Sequence, residues 1–175
     1  MKLLVTGGAG FIGSHFIRLW LNECPDDEII NLDALTYAGR LETTSDFEHN
    51  PKYHFVRGSI CDEKLVKELV SSVDLIVHFA AETHVDRSID SSKVFIETNV
   101  EGTRNLLEAA RHCSPMPRFH HVSTDEVFGS LQENDPKFNE NTPYDPRSPY
   151  SASKAASDHL VRAYFHTYGL PVTIS

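Results

Sequence analysis

Five residues of this chain are of the types that acid–base chemistry needs. Thr124, Asp125 and Glu126 close an apolar stretch that reads as a strand, and Tyr150 and Lys154 follow, spaced Tyr-x-x-x-Lys at the opening of a helical pattern. A tyrosine is a poor base at neutral pH because its phenol ionises near pH ~10, and a lysine one helical turn away supplies positive charge beside it. Such a pair can take the proton of an alcohol while the Thr124 hydroxyl holds the same oxygen. Two adjacent carboxyls add an acid and a base, whose opposite duties require pKa values pushed apart. Adjacent residues of an extended strand point to opposite sides, so the three can share a site only where the strand ends and the chain turns. A solvated acidic turn is the ordinary alternative for such a pair, and a helix-surface pair is the alternative for Tyr150 and Lys154.

Elements must position these groups. Strands are predicted at Lys2–Thr6, Glu28–Asp33, Tyr53–Ile60, Asp74–Ala80, Arg118–Thr124 and Pro171–Ser175. Helices are predicted at Phe11–Glu23, Asp62–Ser71, Asn99–His112 and Tyr150–Tyr168, the last closed by Gly169. Ser130–Pro149 reads as a long polar loop. The near-continuous apolar run at 74–80 suits a strand covered on both faces. The alternation predicts an α/β fold, a doubly wound parallel sheet with right-handed crossovers. The whole chain, 1–175, reads as one domain. A last strand with nothing after it to close a substrate site predicts a fragment.

The first strand runs into Thr6-Gly7-Gly8-Ala9-Gly10-Phe11-Ile12-Gly13. Gly7 permits a tight turn, Gly10 lets the backbone approach a pyrophosphate, and Gly13 lets the helix pack closely on the sheet. Asp33 stands twenty residues beyond Gly13 at the end of the second strand. Its carboxylate can accept from the adenosine ribose hydroxyls and would repel a 2′-phosphate, so the cofactor predicted is NAD rather than NADP. A glycine-rich turn without a ligand is the alternative. A nicotinamide beside two extra carboxyls suggests oxidation coupled to loss of water.

Composition narrows the partners. Hydrophobic residues make up 40% and charged ones 23%, and the net charge is −9, so the clustered Lys and Arg that nucleic acid requires are not expected. No apolar run reaches the length of a membrane span. Cys24, Cys61 and Cys113 read as free thiols of a reducing cytoplasm, and no Cys/His spacing matches a metal site.

TGGAGFIG, Tyr150-x-x-x-Lys154 and Asn99-Val100-x-Gly102-Thr103 resemble the extended short-chain dehydrogenase/reductase superfamily. Within it, NLDALTYAG (31–39), HFAAETHVDRSI (78–89), STDEVFG (123–129) and PYSASKAASDHLVRAY (149–164) resemble the dTDP-glucose 4,6-dehydratase family. The resemblance spans the whole chain but only the N-terminal, cofactor-binding part of that family, without its C-terminal substrate domain. It implies a Rossmann-like fold, a homodimer, and conversion of dTDP-glucose or a similar nucleotide sugar to the 4-keto-6-deoxy product. Sugar-nucleotide 4-epimerases resemble the chain elsewhere but lack the acid pair; an epimerase, or an NAD-binding module without activity, is the other reading.

By that resemblance Thr124, Asp125, Glu126, Tyr150 and Lys154 are the catalytic set. Gly7, Gly10, Phe11, Ile12, Gly13, Asp33, Leu35, Thr36, Ser59, Ile60, Phe79, Ala80, Ala81, Thr83 and Thr98 join Tyr150 and Lys154 around the cofactor. Thr83 and His84 join the Thr-Asp-Glu triplet at the substrate. Asp86 and Arg87 read as a local pair. Two positions depart from the family pattern: Ser59 where Asp is usual beside the adenine, and Phe128 where Tyr is usual.

Overall fold

The computed structural model describes residues 1–175. Six strands form it: β1 (Lys2–Thr6), β2 (Glu28–Asp33), β3 (Tyr53–Arg57), β4 (Leu75–His78), β5 (Arg118–His121) and β6 (Val172–Ile174). They pair in the order β3-β2-β1-β4-β5-β6, and every pair is parallel. This is the doubly wound, Rossmann-like arrangement, with the strand order reversing between β1 and β4.

Side-chain alternation in β1 shows how the layers form. Leu3 and Val5 face one side, where Ile17 and Leu21 of helix α1 (Phe11–Glu23) close the core with Ile29 and Val77. Leu4 faces the other side, against Val66 and Val70 of α2 (Glu63–Val70), Leu106 and Leu107 of α5 (Thr103–Arg111) and Val161 of α6 (Pro149–Tyr168). Helix α2 starts on an Asp62 side chain that accepts from the Leu65 N–H. Helix α6 starts on a capping box between Ser148 and Ser151, with proline in its first turn, and ends on Gly169 at φ 72°.

Several boundaries differ from the sequence reading. Strand β3 stops at Arg57 and not Ile60, β4 at His78 and not Ala80, β5 at His121 and not Thr124. In each case ladder pairing ends first, and the apolar residues beyond it line a cleft instead of continuing the sheet. The sequence reading contained no helix between residues 81 and 98, yet α3 (Val85–Asp90) and α4 (Lys93–Phe95) lie there. A π-helical stretch, Ile96–Gly102, then runs into α5. π-Helical turns are rare and collect at functional sites, and this one carries Thr98 to the cleft and buries Asn99.

Phe119 of β5 is among the largest fully buried side chains. Phe119→Ala is expected to cost about 3–5 kcal/mol, measured as a lowered urea midpoint with an unchanged slope.

Candidate active site

All six strands run the same way, so the loops after β1 to β5 leave from one edge and wall a cleft of about 390 Å³. At its floor the chain turns from β1 into α1. Gly7 has φ 73°, and a Cβ there would lie 2.7 Å from the Ala80 backbone nitrogen, so only glycine fits the turn against the β4 end. A Cβ on Gly13 would lie 2.4 Å from the Gly7 carbonyl oxygen, which fixes how closely α1 approaches the loop. No side chain caps α1; Gly10 is its N-cap, and the N-terminus opens on the cleft. An uncapped helix start attracts anions, and this one suits a pyrophosphate.

Asp33 ends β2, 8% exposed, with one carboxylate oxygen accepting from the Ala9 N–H at 2.9 Å and the other from the Leu35 N–H at 2.8 Å. It ties the phosphate loop to the loop that follows β2 and still faces the cleft. These observations fit a dinucleotide whose ribose meets Asp33 and whose phosphates meet α1.

Gly7, Gly10, Phe11, Ile12, Gly13, Asp33, Thr36, Ser59, Ile60, Phe79, Ala80, Ala81, Thr83, Thr98, Tyr150 and Lys154 all line this one cleft. Leu35 does not. It takes φ 52°, a left-handed turn closed on Asp33, and its side chain leaves the cleft wall to Ala34 and Thr36. His84 stands outside the lining as the exposed N-cap of α3, with its ring 6.5 Å from that of Tyr37. Asp86 and Arg87 form no ion pair; the Arg87 guanidinium instead lies 4.2 Å over the Tyr37 ring. Ser59 accepts from the Cys61 N–H, closing the turn after β3 at the cleft wall. Phe128 packs on Phe138 and Tyr144.

The cleft also takes in Gly58, Glu82, Val122 and Ser123, which the sequence reading left out. Gly58, Val122 and Ser123 directly follow or nearly follow strands β3 and β5, and the rule that parallel sheets bind at their carboxyl edge pointed to them. Glu82 has no such signal; both its backbone polar groups are held by the Asn99 side chain.

The Thr-Asp-Glu triplet sits on a 3-10 turn, Asp125–Phe128, beginning four residues after β5 ends. Thr124 caps that turn by accepting from the Glu126 N–H. The turn frees the acids from strand alternation and brings them near Tyr150, whose phenol feels Thr124, Glu126 and Asp125, although none of the three lines the cleft itself. Burial raises the Tyr150 phenol above its ordinary value; the Thr124 side chain pulls it down, and Glu126 and Asp125 push it up. Positive charge next to the phenol is therefore what ionisation at neutral pH requires. Lys154 is 4% exposed and donates to the Val122 carbonyl oxygen at 2.7 Å. Burial lowers its ammonium to about 8, with Asp158 opposing.

A doubly wound parallel sheet with an open helix start at a glycine loop, and a Tyr/Lys pair across the cleft, defines a Rossmann-type nucleotide-binding domain. The chain belongs to the GDP-mannose 4,6 dehydratase family, whose model matches residues 4–175. It is 52% identical over 176 residues to a dTDP-glucose 4,6-dehydratase of Mycobacterium tuberculosis, covering all of this chain and 52% of that protein. The crystal structure of the dTDP-glucose 4,6-dehydratase DesIV from Streptomyces venezuelae, solved with NAD bound, superposes with a TM-score of 0.94 at 52% identity. That match covers 99% of this chain and 54% of DesIV. A UDP-glucose 4-epimerase from Thermus thermophilus, also with NAD, superposes with a TM-score of 0.87 at 32% identity, covering 99% of this chain and 54% of the epimerase. The chain thus spans about half the length of the curated relatives it matches. No helix is long and apolar enough to cross a membrane.

The Lys154 ammonium has a direct consequence for stability. Its value falls from 10.5 to about 8 on folding, so below pH 8 the folded chain carries the full cost of the buried charge. Between pH 8 and 10.5 the unfolded chain binds the extra proton, and stability rises with pH. Urea unfolding at pH 9.5 against pH 7.5 is expected to show about 2 kcal/mol from this group, and Lys154→Met is expected to abolish that difference.

Proposed function

We propose that this chain supplies the cofactor-binding and acid–base part of an NAD-dependent sugar-nucleotide 4,6-dehydratase, a lyase acting on dTDP-glucose. The observation that carries the reading is the Thr124–Glu126 turn near the Tyr150 phenol, with Tyr150 itself lining the cleft whose floor suits a pyrophosphate. The dehydratase names among the relatives and the bound NAD of the similar structures support it.

Tyr150 and Lys154 would hold the nicotinamide end of the cofactor, which would supply hydride acceptance at C4 of the sugar and hydride return at C6. The chain's residues move the protons. Tyr150 takes the proton of the C4 hydroxyl while Thr124 bonds the same oxygen and holds it in line. Lys154 would steady the phenolate and hold the nicotinamide ribose. The C4 ketone acidifies C5–H, and Glu126 removes that proton. Asp125 protonates the departing C6 hydroxyl, which leaves as water. Glu126 then gives its proton back to C5. The balance is loss of one water with no net redox change. Asp33 selects NAD against NADP, Ser59 faces the adenine, and Thr83 with His84 meets the sugar nucleotide. An epimerase would return the hydride to C4 and would need no acid pair.

Calorimetry tests the first half of this reading: the chain is expected to bind NAD, with NADP at least about tenfold weaker. Asp33→Ala is expected to lose about 10–100-fold in NAD affinity, the worth of charge-assisted hydrogen bonds. A chain that binds neither dinucleotide refutes the proposal. With dTDP-glucose and NAD, the protein that carries this domain is expected to form a 4-keto-6-deoxy product, read by its absorbance in alkali. A 4-epimer without that product would favour the epimerase.

The proposal includes a homodimer built on helical faces. The pairing helices are those of Asn99–His112 and Tyr150–Tyr168, and on the second of them Phe165 and Tyr168 leave apolar surface exposed. Light scattering is expected to give twice the chain mass; a monomer mass overturns the dimer.

A further inference from the structure

We propose that Asp158 is a positioning residue that ties the Thr124–Glu126 turn and the 130–149 loop to the Tyr150/Lys154 helix, and sets a fixed negative charge one turn from Lys154. The catalytic duty of those parts rests on the function proposed above; the tie itself does not.

Asp158 is fully buried on α6, at Lys154 plus four, on the helix face turned to the sheet. A carboxylate is costly there unless it is held by donors. Ser123, the residue before the triplet, donates its hydroxyl to Oδ2 at 2.6 Å. Tyr144, from the middle of the long loop, donates to the same oxygen at 2.9 Å. His121, at the end of β5, places Nε2 3.1 Å from Oδ1, but off the line of a hydrogen bond, so Oδ1 keeps no hydrogen-bond partner. One carboxylate oxygen therefore gathers the strand end that launches the acid turn and the loop that leads into Tyr150. Neither segment has regular structure of its own at that point.

The charges around it are few. His78 from β4 and His121 from β5 face the same seam as Lys154, and burial holds both rings below their ordinary values. Tyr144 comes from the loop, and Arg162 of α6 lies beside it. Burial alone would raise the Asp158 carboxyl, but the His121 ring and the Ser123 hydroxyl keep it below its ordinary value. Asp158 is then the anion that opposes the loss of the Lys154 proton.

The test uses the 175-residue chain with lysines labelled at 13Cε, following Lys154 by NMR through a pH titration; Lys154→Met identifies its signal. Asp158→Asn keeps the shape and removes the charge. Its Lys154 midpoint is expected to fall below about 8, with proton affinity down about tenfold. Amide exchange at Glu126 and Val127, both bonded to Thr124, is expected to quicken by about tenfold relative to the amides of α5. A lowered unfolding midpoint with the Lys154 titration and the Glu126 exchange unchanged means a structural role only, and overturns the proposal. Should Asp158→Asn fail to fold, the Ser123→Ala/Tyr144→Phe double variant removes both donors and leaves the charge. Faster exchange at Glu126 with an unmoved Lys154 titration supports the tie, and unchanged exchange overturns it. Loss of NAD binding by the unsubstituted chain refutes the proposed function and moves neither readout.

Discussion

In a sheet whose strands all run one way, the carboxyl ends share an edge, and everything chemical in this chain follows from that. The glycine turn after β1, Asp33 at the end of β2, Ser59 beyond β3, Ala80 beyond β4 and Val122 beyond β5 come from segments far apart in the chain. They wall one cleft because each crossover returns the chain to the opposite edge before the next strand begins. Two apolar faces anchor the sheet between its helices: Leu3 and Val5 on the α1 side, Leu4 and Ile76 on the side of α2, α5 and α6.

A polar seam runs through the second of these layers. The His78 ring spans from the Thr6 hydroxyl at 2.7 Å to the Thr103 hydroxyl at 3.0 Å, and Thr103 in turn donates to the Asn99 carbonyl oxygen. Asn99 reaches on to Ser153 on α6, and His121 lies 3.2 Å from Ser157 on the same helix. Hydroxyls and imidazole nitrogens partner one another along most of this seam, with His121 Nδ1 the buried exception. Lys154 and Asp158 are the charged members, one helical turn apart; Asp158 opposes the loss of the Lys154 proton, and His121, Ser123 and Tyr144 hold Asp158 ionised. The helix that carries Tyr150 is thus set against the sheet by polar contacts as well as by Val161 and Tyr164.

The order of elements was legible because burial on both faces demands apolar runs such as Leu75–Val77, and amphipathic stripes such as Leu65, Val66, Leu69 and Val70 mark their helices. Strand ends were less so. Ile60 and Ala80 are as apolar as strand residues, and only the loss of a pairing partner ends the strand before them. The α3 helix and the π-helical stretch leave no mark in the sequence because Val85–Asp90 is mostly polar and short, and a π-helix has no period that sequence displays. Leu35 read as a cofactor contact, yet a hydrogen bond from its own N–H to Asp33 turns it away.

Spacing along the chain is a local property, and the residue types of the site are written in it: the glycines of the first turn, the carboxylate twenty residues on, the Tyr-x-x-x-Lys pair and the Thr-Asp-Glu triplet. Distance between those groups is not local. That Thr124 caps a turn which brings Asp125 and Glu126 beside Tyr150, that Lys154 reaches the Val122 carbonyl, and that Ser123 and Tyr144 converge on Asp158 were decided by tertiary packing alone. The reason is physical: a hydrogen bond between residues 35 apart forms only after the sheet and helix have been brought together by burial, and nothing in either segment by itself anticipates its partner.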